Sequence, residues 1–311
     1  MPRSIVLGGA GFLGSHICDR LISRGDDVVA VDDLSSGSLR NLGHLTGGPN
    51  FRFVQADICD GIPVNGQVDY IFNFASLASP PRYSRQPIHT LRTGSTGTEN
   101  ALTLAVNSAA RLVMASTSEV YGDPTVHPQS ESYWGNVNPI GPRSCYDEAK
   151  RYAEALCVAF QAERGANVGI LRVFNTYGPR LDPADGRVVS NFISQALAGR
   201  PMTIYGDGAQ TRSFCFVDDL IDGVLKMAHA DCRGPVNIGN PKEQTMLELA
   251  SSVNKVAGTD VRLSFLPLPQ DDPTQRCPDI TLARDLLGWE PSTSLEDGLS
   301  RTIDWFRRVG G

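Results

Sequence analysis

Residues 4–14 read SIVLGGAGFLG, a short apolar run that ends at Gly8 and is followed by glycines at 11 and 14. Ser4 to Gly8 has the length and composition of a strand, and an amphipathic helix is predicted to follow it to about Arg24. Glycines at these three places allow a tight turn, close approach of a pyrophosphate to the backbone, and close packing of helix on strand. The helix N-terminus then faces the phosphates. A second strand, Val28 to Val31, ends in Asp32, where a carboxylate accepts ribose hydroxyls and repels a 2'-phosphate. No arginine follows Asp32 directly, so the expected cofactor is NAD, held by Gly8, Gly11, Phe12, Leu13, Gly14 and Asp32.

Further apolar strands are predicted over residues 52–55, 70–74, 112–115 and 168–173, alternating with helical segments. Such alternation implies a parallel sheet covered on both faces, a Rossmann-type doubly wound α/β fold with ligands at the carboxyl ends of the strands. Long helices are expected over residues 88–108 and 145–164. Beyond Asn175 the pattern becomes irregular, with loops around 178–180 and 266–278 and shorter helices near 187–198, 217–229, 245–257 and 295–308. We therefore expect residues 1–174 to form an NAD-binding domain, with some later segments returning to it. Residues 175–311 are expected to form mainly a smaller substrate-binding lobe.

With 41% hydrophobic residues in a chain of 311, there is ample material for a large core. The net charge of −6 gives no footprint for nucleic acid, so an anionic ligand has to be held by local arginines. No apolar run approaches the roughly 20 residues of a membrane span, and the N-terminus enters strand-like sequence at once without a signal peptide. A cytoplasmic protein is expected. The seven cysteines, at 18, 59, 145, 157, 215, 232 and 277, are odd in number and scattered without a C-x-x-C, which points to reduced thiols and not to a metal or disulfide framework.

A helix over 145–164 places Tyr146 and Lys150 on one face. An ammonium beside a phenol favours the phenolate. For the phenol to act as a base near neutrality its pKa must fall by about 3 units, or about 4 kcal/mol, which one cation about 4 Å away at an effective dielectric near 20 supplies. Before this helix, the apolar run Leu112 to Ala115 delivers Ser116, Thr117, Ser118 and Glu119 into a turn.

Thr117, Tyr146 and Lys150 match the catalytic threonine or serine, tyrosine and lysine of the extended short-chain dehydrogenase/reductases. Within that family, TSEVYGDP (117–124), HPQ (127–129), YWGNVNPIGPRSCYDEAKR (133–151), RVFNTYGPR (172–180), DGRVVSNFI (185–193), YGDGAQTRSF (205–214) and DDPTQRCPDI (271–280) resemble the UDP-glucuronate decarboxylases, or UDP-xylose synthases. The resemblance covers nearly the whole chain. It implies oxidation at C4 of UDP-glucuronate, loss of carbon dioxide from the resulting beta-keto acid, protonation at C5 and re-reduction at C4 to UDP-xylose.

In that scheme Tyr146 exchanges the C4 proton, Lys150 supports it, Thr117 binds the same oxygen, and Glu119 or a water it orients serves C5. Ser118 belongs with this group and stands where the 4,6-dehydratases carry an aspartate. Arg276 is expected to anchor the substrate carboxylate or steer water, with Arg82 and Tyr83 adding to the anchor. Arg212 grips the diphosphate. Asn175, Arg187 and Gln210 contact the substrate, Tyr205 lies along uracil, and Asp57 and Ile58 meet adenine. Relatives pair the two long helices across a dimer axis, which implies a homodimer. Three positions depart from the family: Leu7 for a threonine, Asn73 for a histidine, and Gly94 for an asparagine that helps order the central helix. The alternatives are a UDP-sugar 4-epimerase, a 4,6-dehydratase, an oxidative decarboxylase that releases the 4-keto pentose and, more remotely, a non-catalytic NAD-binding scaffold.

Overall fold

The computed structural model describes residues 1–268 and 275–310. Its strands in chain order are β1 (Arg3–Leu7), β2 (Asp27–Asp32), β3 (Phe51–Gln55), β4 (Tyr70–Asn73), β5 (Arg111–Thr117), β6 (Val168–Val173) and β7 (Thr176–Tyr177). Then follow β8 (Met202–Tyr205), β9 (Thr211–Ser213), β10 (Cys215–Phe216), β11 (Val236–Ile238), β12 (Glu243–Thr245), β13 (Leu263–Leu266) and β14 (Gln275–Arg276). Seven of them form one sheet in the order β11-β6-β5-β4-β1-β2-β3, with every pair parallel.

Alternation within the strands assigns the two faces. Val6, Ala30, Phe72 and Val113 point into one core cluster, while Ile5, Leu7, Val29, Val31, Ile71, Leu112 and Met114 point into the other. The helices that cover these faces are α1 (Phe12–Arg24), α2 (Pro80–Arg85), α3 (Pro87–Arg92), α4 (Thr98–Ser108), α5 (Ser144–Arg164), α6 (Val188–Leu197), α7 (Val217–His229), α8 (Met246–Ala257), α9 (Thr281–Leu287) and α10 (Leu295–Gly310). Trp289, Leu299 and Ile303, from the last stretch of chain, share the first cluster with Val6 and Phe72. Beyond residue 174, β11 therefore extends the sheet and late helices pack into its core.

The chain runs outward from β1 through β2 and β3, then returns to β4 on the other side of β1. This reversal opens a crevice at the carboxyl ends of β1 and β4, where a ligand binds in such sheets. Gly8 stands at its base with φ of 77°, and a Cβ there would lie 2.8 Å from the Phe74 backbone. Only glycine allows that crossing.

Two expectations change in detail. The helix predicted over 88–108 is broken into α3, a π-turn over Thr93–Gly97, and α4. Here Gly94 lies against α5, and a Cβ on it would sit 2.6 Å from the Ala149 Cβ. The second change is in β5, which continues through Thr117 before a 3-10 turn over Ser118–Tyr121, so Thr117 is the last residue of a central strand. All seven cysteines are buried free thiols. Among the described residues no helix is long and apolar enough to cross a membrane.

Candidate active site

Every residue assigned above to cofactor, catalysis or substrate lines one continuous cleft of about 850 Å³ at the carboxyl ends of the strands. Of the DDPTQRCPDI stretch, Asp271, Asp272, Pro273 and Thr274 lie outside the described residues.

At one end, Gly11 caps α1 without a side chain over the helix N-terminus. Asp32 closes this turn: its carboxylate accepts the Ala10 N–H at 3.0 Å and the Leu34 N–H at 2.8 Å. Burial raises its pKa, against these backbone hydrogen bonds. Each carboxylate oxygen has two lone pairs, so both keep acceptor capacity for a ribose hydroxyl. A bare helix N-terminus and a buried carboxylate at the end of β2 fit a dinucleotide. Farther along, Asp57 accepts the Cys59 N–H at 2.8 Å, and His89 lies 3.3 Å from Asp33 and 3.7 Å from Asp57. His89 was not singled out from the sequence.

Tyr146 sits on the first turn of α5, buried under Tyr83. Burial pushes its phenol up to about 12, with a Thr117 hydrogen bond acting the other way and Glu119 adding to the rise. Lys150 donates from Nζ to the Ala115 carbonyl at 2.8 Å and lies 5.9 Å from the Tyr146 ring centroid. Its own pKa is brought down to about 8 by burial. The expected fall of the phenol's pKa is thus opposed by its burial. Desolvation outweighs the charge because both groups lie inside the fold.

Glu119 follows the end of β5 and is clamped between two guanidiniums, with Arg276 and Arg143 each at 2.5 Å. Burial would raise this carboxyl, but Arg276 and then Arg143 more than offset it and hold the group at about 2. Arg276, only 2% exposed, also donates to Ser118 Oγ at 3.2 Å and to the Gly122 carbonyl at 2.7 Å. Its Nε is buried without a partner.

Arg143 and Asp147 were missed by sequence reasoning. Arg143 stands at the N-cap of α5, three residues before Tyr146, where the helix dipole disfavours a cation. That misfit was the available signal: a cation kept there needs an anion, and Glu119 is it. Asp147 is buried with Oδ1 unpartnered, and burial, then the Glu119 charge, pushes its carboxyl up to about 7.

The opposite wall carries Arg187, paired with Asp185, and Arg82, which pairs with Asp182 and donates to the Ser36 carbonyl at 3.0 Å. Gln210 donates to the Tyr205 carbonyl at 2.6 Å, Arg212 to the Thr211 carbonyl at 2.8 Å, and Asn175 lies where the chain leaves β6. Tyr205 is 40% exposed. Of the three departures, Leu7 is wholly buried and Asn73 is buried with its amide on the Met114 sulfur at 3.5 Å.

The sequence pattern of the NAD dependent epimerase/dehydratase family matches residues 4–239. UDP-glucuronic acid decarboxylase 1 of Xenopus tropicalis is 50% identical over 306 residues, 98% of this chain and 72% of its own length. Among solved structures, UDP-glucose 4-epimerase from Thermotoga maritima, with UDP-glucose, matches with a TM-score of 0.92 at 31% identity, covering 99% of this chain and 100% of its own. UDP-glucuronic acid 4-epimerase from Bacillus cereus, in complex with UDP-glucuronic acid and NAD, matches with a TM-score of 0.87 at 28% identity over 99% of both chains. The chain belongs to the NAD dependent epimerase/dehydratase family, and within it lies with the UDP-glucuronic acid decarboxylases.

Proposed function

We propose that this protein converts UDP-glucuronate to UDP-xylose and carbon dioxide in a redox-neutral cycle. The observation that carries this reading is the buried Arg276 guanidinium, which lines the same cleft as Tyr146 and is paired with Glu119 at the end of β5. A decarboxylase has to hold a sugar carboxylate in a fixed orientation, which a buried guanidinium suits. The sequence is also far closer to the decarboxylases, at 50% identity, than to the epimerases of similar fold, at 31% and 28%.

The chemistry NAD would supply here, when bound, is reversible hydride acceptance at C4. Gly8, Gly11, Phe12, Leu13, Gly14 and Asp32, which line the cleft, would hold its pyrophosphate and ribose, and Asp57 and Ile58 would meet adenine. Tyr146 takes the C4 hydroxyl proton and Thr117 hydrogen-bonds the same oxygen. Once protonated, Tyr146 donates to the C4 carbonyl oxygen as carboxylate electrons move through C5 to the enolate. Because two guanidiniums keep Glu119 ionised, its role at C5 is to orient a water that delivers the proton. Arg276, Arg82 and Tyr83 would anchor the carboxylate, and Asn175, Arg187, Tyr205, Gln210 and Arg212 would take the UDP part; all line the cleft.

In the same reading residues 1–174 serve mainly NAD and 175–311 mainly the nucleotide sugar. A homodimer through α3 and α5 is supported by the exposure of Ile88, Leu91, Tyr152 and Val158. A monomer by light scattering would reject it. Seven free thiols accord with a cytoplasmic location.

The test is to incubate purified protein with UDP-glucuronate, without added cofactor, and follow products by proton NMR and NADH by absorbance. UDP-xylose without NADH accumulation supports the redox-neutral decarboxylase. Stoichiometric NADH or a 4-keto product when NAD is added makes it an oxidative decarboxylase, and UDP-galacturonate without loss of carbon dioxide makes it an epimerase.

A further inference from the structure

We propose that His127, Glu243 and Cys277 form a Zn2+ site that ties β12 to the chain just beyond β14, on either side of the strand that carries Arg212. Their donor atoms, an imidazole nitrogen, a carboxylate oxygen and a thiol sulfur, all lie within 4.8 Å of one another. His127 Nε2 is 2.9 Å from Glu243 Oε2, with side chains 31% and 27% exposed, so the group is open to an incoming ion. Cys277 closes it from the buried side.

These residues come from three separate stretches that the backbone already fixes together. Gln129 donates from its backbone to the Cys277 carbonyl at 2.9 Å, and the Cys277 N–H returns to Gln129 Oε1 at 2.9 Å. Glu243 opens β12, which pairs antiparallel with β9, and its second oxygen accepts Thr211 Oγ1 at 2.6 Å. Such a hydrogen bond on the far oxygen orients a ligating carboxylate. Nitrogen, oxygen and sulfur donors together suit Zn2+, whereas Mg2+ and Ca2+ take oxygen ligands. As the Zn–S bond forms, the Cys277 thiol proton passes to solvent, and water fills the fourth position.

The consequence lies one residue away. Cys277 follows Arg276, and Gln244 on β12 is in register with Arg212 on β9. Zinc would hold β12 and β14 on either side of β9 and so keep both arginines in place, without entering the cleft.

The full-length untagged protein, stripped with a chelator, is titrated with ZnCl2 against a chromophoric chelator and separately with CoCl2. One equivalent of Zn2+ is expected to bind and raise the melting temperature. Co2+ should give a thiolate-to-cobalt charge-transfer band. Cys277→Ser should remove that band and weaken Zn2+ at least about tenfold, as should His127→Ala. Cys277→Ser should melt with the stripped wild type, which separates lost metal binding from misfolding. Absence of stoichiometric binding by the wild type, or equal Zn2+ affinity in wild type and Cys277→Ser, overturns the site.

Discussion

Tyr83 lies flat on Tyr146, with ring centroids 5.3 Å apart and planes within 7° of parallel. The stack walls one side of the phenol from water, and the Tyr83 hydroxyl is itself buried without a protein partner. Tyr83→Ala is expected to cost about 3–5 kcal/mol in denaturant unfolding. Tyr83→Phe keeps the stack and removes an unpaired polar atom, so its stability should stay within about 1 kcal/mol of wild type. A raised KM for UDP-glucuronate in Tyr83→Phe would then report a hydroxyl that meets substrate.

Tyr146→Phe is expected to slow the first oxidation by a factor of about 10² to 10⁴, read as the NADH absorbance in a single turnover. Glu119→Ala should leave that phase better preserved and depress a later one. An oxidation phase in Tyr146→Phe as fast as the wild type would remove the phenol from the mechanism.

Arg276→Ala should weaken UDP-glucuronate by at least about tenfold while leaving UDP-xylose within about threefold, because only the first carries a carboxylate. Calorimetry with both ligands decides this. Equal losses would place the guanidinium's role in holding Glu119 alone.

The buried carboxylates oppose each other in pH dependence. Glu119, held at about 2 against an ordinary 4.5, adds stability that is complete above pH 4.5 and is lost as the pH falls toward 2. Asp147, raised from 3.8 to about 7, acts in reverse: its penalty is absent below pH 3.8 and grows until about pH 7. Asp147→Asn should therefore stabilise by about 1–3 kcal/mol above pH 7 and have little effect near pH 4, measured by urea unfolding across that range. A gain independent of pH would contradict the assignment.

Gly94→Ala should cost about 1–3 kcal/mol, because the added methyl meets Ala149 between Tyr146 and Lys150. Adding Ala149→Gly should restore part of the loss, and a double-mutant cycle measures the coupling. Strict additivity would mean that the two backbones do not constrain each other.

The glycine turn, Asp32 and the long strands were legible because each is a local pattern with one physical solution. The residues carried over by motif converge on one cleft because they lie at strand ends or on the helices and loops packed over them, and a parallel sheet brings those ends together. Strands β7 to β14 were not legible, since pieces of two to four residues pair only with distant segments and leave no periodicity. The π-turn at Thr93–Gly97 depends on a helix some fifty residues later. Nor could the sequence weigh burial against charge at Tyr146, because that balance depends on what covers the ring.

Strand β11 completes the sheet beside β6 from more than sixty residues downstream. During synthesis, β6 therefore presents an unpaired edge until residues 236–238 have been made. A fragment ending near residue 174 keeps the dinucleotide turn yet exposes that edge, together with the apolar positions that Trp289, Leu299 and Ile303 cover in the whole chain. Until the later residues dock, the early half of the chain therefore carries both an open strand edge and uncovered apolar positions, the features that favour aggregation.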